Sequence, residues 1–260
     1  MRCWILYERD DLSKNGFFAG RLRACGESLG METSVVTTDA MPDMTPDVVV
    51  SRQRDWGVSR SLESEGALVF NGSEVCRVCN DKLETYRMAD SLGVPHLECS
   101  LPGEGLPPGP PWVVKSRSGH GGGQVRMAHD SEELATACAG MDDALVQEVA
   151  GVLGRDMRAY VLDGRILACV MRSSDTDFRA NFSLGGRAEL CDPPEECVGI
   201  IEEVVGRLAP TFIGVDFTFG DGRVYLNEVE DVVGTRMLYS LTDLDPARLL
   251  MECVHSKSSL

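Results

Sequence analysis

Histidine is scarce in this chain: four residues in 260, at positions 96, 120, 129 and 255. Imidazoles so few and so scattered argue against a histidine metal centre. Long apolar runs are missing too. None is long enough to cross a membrane, and the N-terminal Cys3-Trp-Ile-Leu-Tyr7 run reads as a strand rather than a secretory signal. Basic charge is in short supply, with 25 Lys and Arg against 41 Asp and Glu and a net charge of −16. That balance argues against a nucleic-acid backbone or an anionic membrane as partner. There is no Gly-Lys-Ser/Thr phosphate loop and no G-x-G-x-x-G fingerprint. Cysteine is plentiful, with ten residues. Without a secretory signal, they point to reduced thiols in the cytoplasm. Cys76-Arg-Val-Cys79 has no second pair and no nearby histidine, so it predicts packed thiols near a helix start rather than zinc.

The most informative segment is present near the C-terminus: Gly-Val-Asp216-Phe-Thr-Phe, an Asp221-Gly222 turn, then Val-Tyr-Leu-Asn-Glu228-Val-Glu230. β-Branched and aromatic residues around Asp-Gly predict a β-hairpin. Its register decides the chemistry, because side chains alternate between faces. A two-residue loop pairs Asp216 with Asn227 and sends Asp216 and Glu228 to opposite faces. A three-residue loop over 221–223 pairs Asp216 with Glu228 and gathers three carboxylates on one face. The second is expected, because it also collects the apolar residues on the other face. Carboxylates that close repel unless a hard cation such as Mg²⁺ sits among them. The hairpin alone is equally compatible with a solvated acidic face.

Upstream, strands at 3–7, 33–37, 47–51 and 67–70 alternate with helices at 17–29 and ending at 62–64, which predicts a small parallel sheet covered on both sides. Ligands gather at strand C-ends in such sheets, which makes Arg52 and Asn71 weak substrate candidates. A helix at 81–92 is followed by a Pro- and Gly-rich linker at 101–111. Strands at 112–115 and 124–127 then flank a glycine run, Gly119-His-Gly121-Gly122-Gly123. Such a hairpin lets backbone amides turn toward an anion, with Lys115 beside it; a floppy surface hairpin has the same signature. A helix at 131–140 and a strand at 144–149 follow. Strands at 157–162, 165–171, 211–219 and 223–229, with a helix at 194–208, complete an α/β (α+β) chain. Arg158, Arg172 and Arg179 in this stretch suit either ion pairing with the carboxylates or a polyphosphate whose metal sits on them.

Taken together and in order, Asn-Asp-Lys82, Val-Val-Lys115, the glycine hairpin, Gln147-Glu148-Val149, Gly-Arg-Asp156-Met-Arg158, Met-Arg172, Asp-Phe-Arg179-Ala-Asn181, Gly-Val-Asp216 and Asn-Glu228-Val-Glu230 resemble the ATP-grasp superfamily, most of all its RimK-like carboxylate–amine ligase branch. The match runs over about 71–238. The resemblance implies an N-terminal α/β domain at 1–72, a small lobe with a glycine-rich lid at 73–150, and a large lobe with the metal site at 151–260, with ATP between the lobes. It assigns ATP phosphates to Lys82 and Lys115, a lid to Gly119, Gly121 and Gly122, and the adenine edge to the backbone of Gln147, Glu148 and Val149. Asp156 becomes a nucleotide contact. Arg158, Arg172, Arg179 and Asn181 become contacts to phosphate or the reacting carboxylate, and Asp216, Glu228 and Glu230 the ligands of Mg²⁺ (or Mn²⁺). Two positions depart from the family pattern. Glu230 stands where Asn is usual, and Gly151-Val152 follows the hinge where an acidic ribose contact is common.

The implied reaction is ATP-dependent joining of a small-molecule or peptide carboxylate to an amine through an acyl phosphate. It needs bridging metal, cationic clamps and exclusion of water rather than a serine, cysteine or histidine nucleophile. An ATP-grasp small-molecule kinase and a non-catalytic nucleotide-binding module are the alternatives. The sequence leaves room for an oligomer.

Overall fold

The computed structural model describes residues 1–149, 151–180 and 186–259. Strands β1 (Arg2–Tyr7), β2 (Glu32–Thr37), β3 (Val48–Arg52) and β4 (Leu68–Phe70) form an all-parallel sheet in the order β2-β1-β3-β4. Every residue of β3 is buried, as a strand covered on both faces requires. Helices α1 (Arg9–Ser28) and α2 (Trp56–Ser64) supply crossovers. Helix α1 begins at Arg9 rather than at 17. Its first turn is polar and holds Asp10 and Asp11, which suit the positive helix end but carry no apolar stripe, and the helix kinks at Asn15.

Helices α3 (Ser73–Cys79) and α4 (Lys82–Leu92) lead into a second sheet. Asp81 caps α4 by accepting from the amides of Leu83 (2.9 Å) and Glu84 (3.4 Å), which makes Lys82 the first helical residue. Strands β5 (Cys99–Ser100), β6 (Trp112–Ser116), β7 (Val125–Ala128) and β8 (Ala144–Glu148) pair antiparallel in the order β5-β8-β6-β7. Helix α5 (Ser131–Ala139) closes a small core of Trp112, Val114, Leu134, Ala137 and Val146. Cys76 and Cys79 are buried free thiols on α3, as the lone CxxC predicts.

The third sheet takes β9 (Arg155–Leu162), β10 (Arg165–Ser173), β11 (Arg187–Cys191), β12 (Phe212–Gly220) and β13 (Arg223–Glu230) in the antiparallel order β11-β10-β9-β12-β13. Helix α6 (Glu195–Leu208) buries Cys197, Ile200, Ile201 and Val204 in one core with Ala159, Ile213, Val215 and Val229. Helices α7 (Arg236–Leu241) and α8 (Pro246–Ser258) end the described chain. Helix α8 packs on α1, and one core joins the first sheet to the third through Phe18, Tyr160, Phe212 and Met251. Neither α7, α8 nor β11 is anticipated above. Yet α8 carries a legible start, with Asp245 as cap and Pro246 at the first position.

The carboxylate hairpin has the expected pairing for a different reason. Asp216 does oppose Glu228, but the turn is the two-residue Asp221-Gly222, with φ of 51° and 75°, flanked by Gly220 paired with Arg223. Positive φ at both positions is what a primed hairpin turn demands, so the three-residue loop over 221–223 is incorrect. The offset comes from a bulge. Phe217 pairs with Leu226 and Asp216 with Glu228, which leaves Asn227 as the extra residue on β13. One inserted residue flips the face of everything beyond it, and this one turns Glu228 and Glu230 to the side of Asp216.

Candidate active site

A cleft opens between the second and third sheets. Asp216 is buried on its floor, with Glu228 and Glu230 half-buried beside it; one oxygen from each carboxylate lies within 4.8 Å of the others. Among the described residues this is the one group of three such side chains that close. Strand pairing explains the arginines around it. Arg158 on β9 is the register partner of Asp216, and Arg172 on β10 is the partner of Asp156. Arg158 grips Asp216 with two bonds of 2.6 Å and reaches Glu230 at 2.8 Å. Arg172 holds Asp156 at 2.5 and 2.9 Å and touches Asp216 at 2.7 Å. Burial opposes ionisation of Asp216, but the two guanidiniums outweigh it and hold the carboxyl down at about 2. Burial pushes Asp156 the other way, upward, against the pull of Arg172. Glu230 is also pushed up, by burial, with Arg158 opposing and Asp216 and Glu228 adding to the rise.

The two lysines enter from the opposite wall. Lys82 bonds the Gly119 carbonyl and pairs with Glu228 at 2.9 Å. Lys115 is buried, and its ammonium donates to the Tyr86 hydroxyl (2.7 Å) and to Asn227 Oδ1 (3.4 Å). Burial, reinforced by the charge of Lys82, brings its pKa down to about 7. The Tyr86 hydroxyl also accepts from Gln147 Nε2 (3.0 Å) and donates to the Asn227 carbonyl (2.8 Å). So the bulge residue Asn227 meets Lys115 through its side chain and Tyr86 through its backbone. Neither Asn227 nor Tyr86 figures among the sequence candidates. The Asn-Glu-Val-Glu string named the strand, but only the bulge turns its Asn toward the lysine.

The glycine hairpin lies over this floor. Gly119, Gly121 and Gly122 line the cleft, and Gly121 and Gly122 have φ of 70° and 76°, the left-handed region that glycine enters freely. Asp143 fastens the start of the hairpin by accepting from Ser116 Oγ (2.9 Å), Ser118 Oγ (2.6 Å) and the Ser118 amide (2.8 Å). From the far side Arg179, itself held by Asp177 (2.7 Å), donates to the Gly122 carbonyl at 2.7 Å. Asn181 lies outside the described residues. Gln147, Glu148 and Val149 form one edge of the cleft. There the Glu148 amide is already committed to the Glu98 carbonyl (3.0 Å), and the Glu148 carboxylate to the Glu98 amide (2.8 Å). Exposed Val152 and Leu153 occupy the segment after this edge.

Arg52 and Asn71 do not line this cleft. Both are buried, and both spend their hydrogen bonds on backbone. Arg52 donates to the carbonyls of Asp231 (3.3 Å) and Val233 (2.7 Å), and Asn71 to those of Phe212 (2.6 Å) and Asp231 (3.1 Å).

Comparison with known proteins agrees with this geometry. Residues 107–254, more than half of the chain, match the family described as the RimK-like ATP-grasp domain. Human N-acetylaspartylglutamate synthase A is 27% identical over 87% of this chain and 63% of its own length. The glutamate–LysW ligase ArgX of Sulfurisphaera tokodaii is 26% identical over 81% of this chain and 80% of its own. In fold, the chain superposes on the D-alanine–D-alanine ligase of Bacillus anthracis, crystallised with ATP, with a TM-score of 0.73 at 16% identity, covering 100% of this chain and 97% of that one. The chain belongs to the RimK-like ATP-grasp family, and so to the ATP-dependent ligases.

Proposed function

We propose that this protein joins a carboxylate to an amine with ATP and a divalent cation, by way of an acyl phosphate. The observation that carries the reading is one cleft in which Asp216 and Glu228, clustered with Glu230 behind them, share the lining with Lys82, Lys115, Arg172 and Arg179. Asp216, Glu228 and Glu230 offer hard oxygen donors at mutual distances a divalent ion can bridge, and they suit Mg²⁺ or Mn²⁺. Such an ion neutralises phosphate charge when bound. Lys82 and Lys115 hold the phosphates of ATP. The amides around Gly119, Gly121 and Gly122 cover them and exclude water. The adenine edge meets Gln147, Glu148 and Val149; since the Glu148 amide is already committed, Val149 is the residue left to read it. Arg172 and Arg179 hold the substrate carboxylate in line with the γ-phosphorus, a task the family pattern also assigns to Asn181. Arg158 acts through Asp216 and Glu230, which it locks in position, and Asp156 does the same for Arg172. The carboxylate oxygen bonds to phosphorus as ADP leaves; the amine then attacks the acyl carbon, expels phosphate and loses a proton.

Of the N-terminal unit (1–72), the small lobe (73–150) and the large lobe (151–260), the second supplies the nucleotide cover and the third the metal site. No described helix is long and apolar enough to cross a membrane. Ten free cysteines and the use of ATP support a cytoplasmic reaction. The two curated relatives above carry glutamate in their names, so glutamate is the first amine to test, against amino acids and short peptides as carboxylates. Phosphate release from ATP that requires both partners supports the ligase. Release with a carboxylate alone and a stable phosphorylated product makes the protein a kinase. No turnover with any pair, alongside tight ATP binding, leaves a nucleotide-binding module.

A further inference from the structure

Glu228 and Glu230 end an edge strand. β13 pairs with β12 along its length, its outer side is met only at Leu226, by an isolated bridge to His96 among the described residues, and the chain leaves the sheet directly after Glu230. Strand ends of this kind fray unless something outside the sheet holds them. Here three side chains from elsewhere in the chain converge on the next three residues. Arg52, at the end of β3, forks its guanidinium onto the carbonyls of Asp231 (3.3 Å) and Val233 (2.7 Å) while lying over the Phe18 ring. Asn71, just past β4, adds a bond to the Asp231 carbonyl (3.1 Å). It sits at φ 54°, a left-handed conformation that Asn tolerates better than most residues, and takes the amides of Thr211 (2.9 Å) and Phe212 (3.2 Å) on its oxygen. Asn80, at the end of α3, donates to the Asp231 carboxylate at 2.9 Å. Arg52, Asn71 and Asp231 are all buried.

We infer that Arg52, Asn71 and Asn80 are positioning residues for the divalent-cation site, an outer layer that fixes the β13 carboxylates by clasping the segment 231–233. The inference rests on the proposal that Asp216, Glu228 and Glu230 bind the cation. It gives the N-terminal sheet a part in the chemistry, with no substrate contact required of Arg52 or Asn71. A buried guanidinium whose two terminal nitrogens both meet backbone carbonyls fixes geometry, because a fork permits one placement where a single donor permits many. Outer-layer partners of metal ligands typically govern affinity by roughly 10–100-fold.

The test uses the full chain without nucleotide and Mn²⁺ as probe, with free Mn²⁺ read from its electron paramagnetic resonance signal. Glu228→Gln reports on the metal site itself. Arg52→Lys keeps the charge and loses the fork, and Asn80→Ala removes the Asp231 contact at a half-buried helix end where folding is least at risk. Arg52→Lys and Asn80→Ala are each expected to weaken Mn²⁺ binding by about 10-fold, with ATP affinity measured in EDTA unchanged. If both variants fold and bind Mn²⁺ like the parent, the inference is wrong. It is equally wrong if the loss follows Tm and disappears when a stabilising osmolyte restores Tm, since that assigns the residues to stability alone. A parent protein that binds no Mn²⁺ overturns the metal site and this inference with it, whereas a parent that binds and a Glu228→Gln that does not separates the two.

Discussion

Arg172 and Arg179 both line the cleft, and they are held in opposite ways. Arg172 is buried and bonded to two carboxylates, Asp156 opposite it on the neighbouring strand β9 and Asp216 one strand further on β12. Arg179 is a quarter exposed, sits outside any strand, and is held by Asp177 two residues away and by one carbonyl of the glycine hairpin. The first arrangement is part of the folded core and is in place before any ligand arrives. The second is a clasp between two loops, which local opening releases without disturbing a sheet. The difference separates what is preorganised for charge stabilisation from what moves to admit and enclose substrate.

The largest expected effect breaks the first arrangement. Arg172→Met removes one partner of a buried network and leaves Asp156 with none of its present guanidinium bonds. The cost is about 3–5 kcal/mol of stability by urea denaturation at neutral pH. The pH dependence has a definite sign. The Asp216 carboxyl is held at about 2, so its contribution is present above the unfolded value of 3.8 and is lost as pH falls toward 2. The deficit of Arg172→Met therefore shrinks in acid, where the carboxylates it strands take up protons. A deficit independent of pH means that the network adds nothing electrostatic.

Next comes Glu228→Gln, which trades charge for an isosteric amide. Turnover should fall by roughly 100-fold or more, from loss of both the metal ligand and the Lys82 pair, with the circular dichroism spectrum intact. Full activity in this variant removes Glu228 from the site. The same residue shows what was legible beforehand. Alternation along the strand singles out the three carboxylates, and gathering the apolar residues on the opposite face predicts the observed pairing of Asp216 with Glu228. The bulge at Asn227 does shift the alternation, placing Asn227 and Glu228 side by side between buried Leu226 and Val229, but a longer turn accounts for the same Asp216–Glu228 pairing, so the sequence does not choose between them. The parallel sheet could be read from its unbroken apolar strands, whereas the polar first turn of α1 could not. Arg52 and Asn71 stood at strand ends as expected, but their bonds to carbonyls 140 or more positions away depend on tertiary packing that no local pattern encodes.

Arg179→Ala tests the second arrangement. Stability should change by no more than about 0.5 kcal/mol, as for most partly exposed positions. Turnover should fall by about 10-fold, a contribution typical of one charge-assisted bond, through slower closure over substrate. Hydrogen exchange of the amides at 119–123 should rise in the same variant. If Arg179→Ala loses as much stability as Arg172→Met, the contrast between a fixed and a movable arginine fails.

The smallest expected effect concerns Lys115, which shares the burial of Arg172 without a carboxylate bonded to it. Its ammonium has a hydroxyl and an amide oxygen for company, and burial lowers its pKa to about 7 against an unfolded value of 10.5. Below pH 7 it is charged in both states, and the cost of burying that charge is borne in full. Between pH 7 and 10.5 the unfolded chain holds a proton that the folded chain has released, so stability rises with pH over that window. Lys115→Met removes the ionisable group and keeps the stem. The variant should be more stable than the parent at pH 6 by about 1 kcal/mol, well under what full burial of a charge suggests, because losing the Tyr86 bond offsets part of the gain. The difference should narrow by pH 9. ATP binding should show the reverse preference: phosphate calls for the charged form, so the parent takes up a proton on binding ATP at pH 8, and calorimetry in buffers of different ionisation enthalpy detects it. Lys115→Met should bind ATP weakly and without that uptake. A variant that is less stable than the parent at pH 6 and binds ATP equally well would place Lys115 in the core and outside the site.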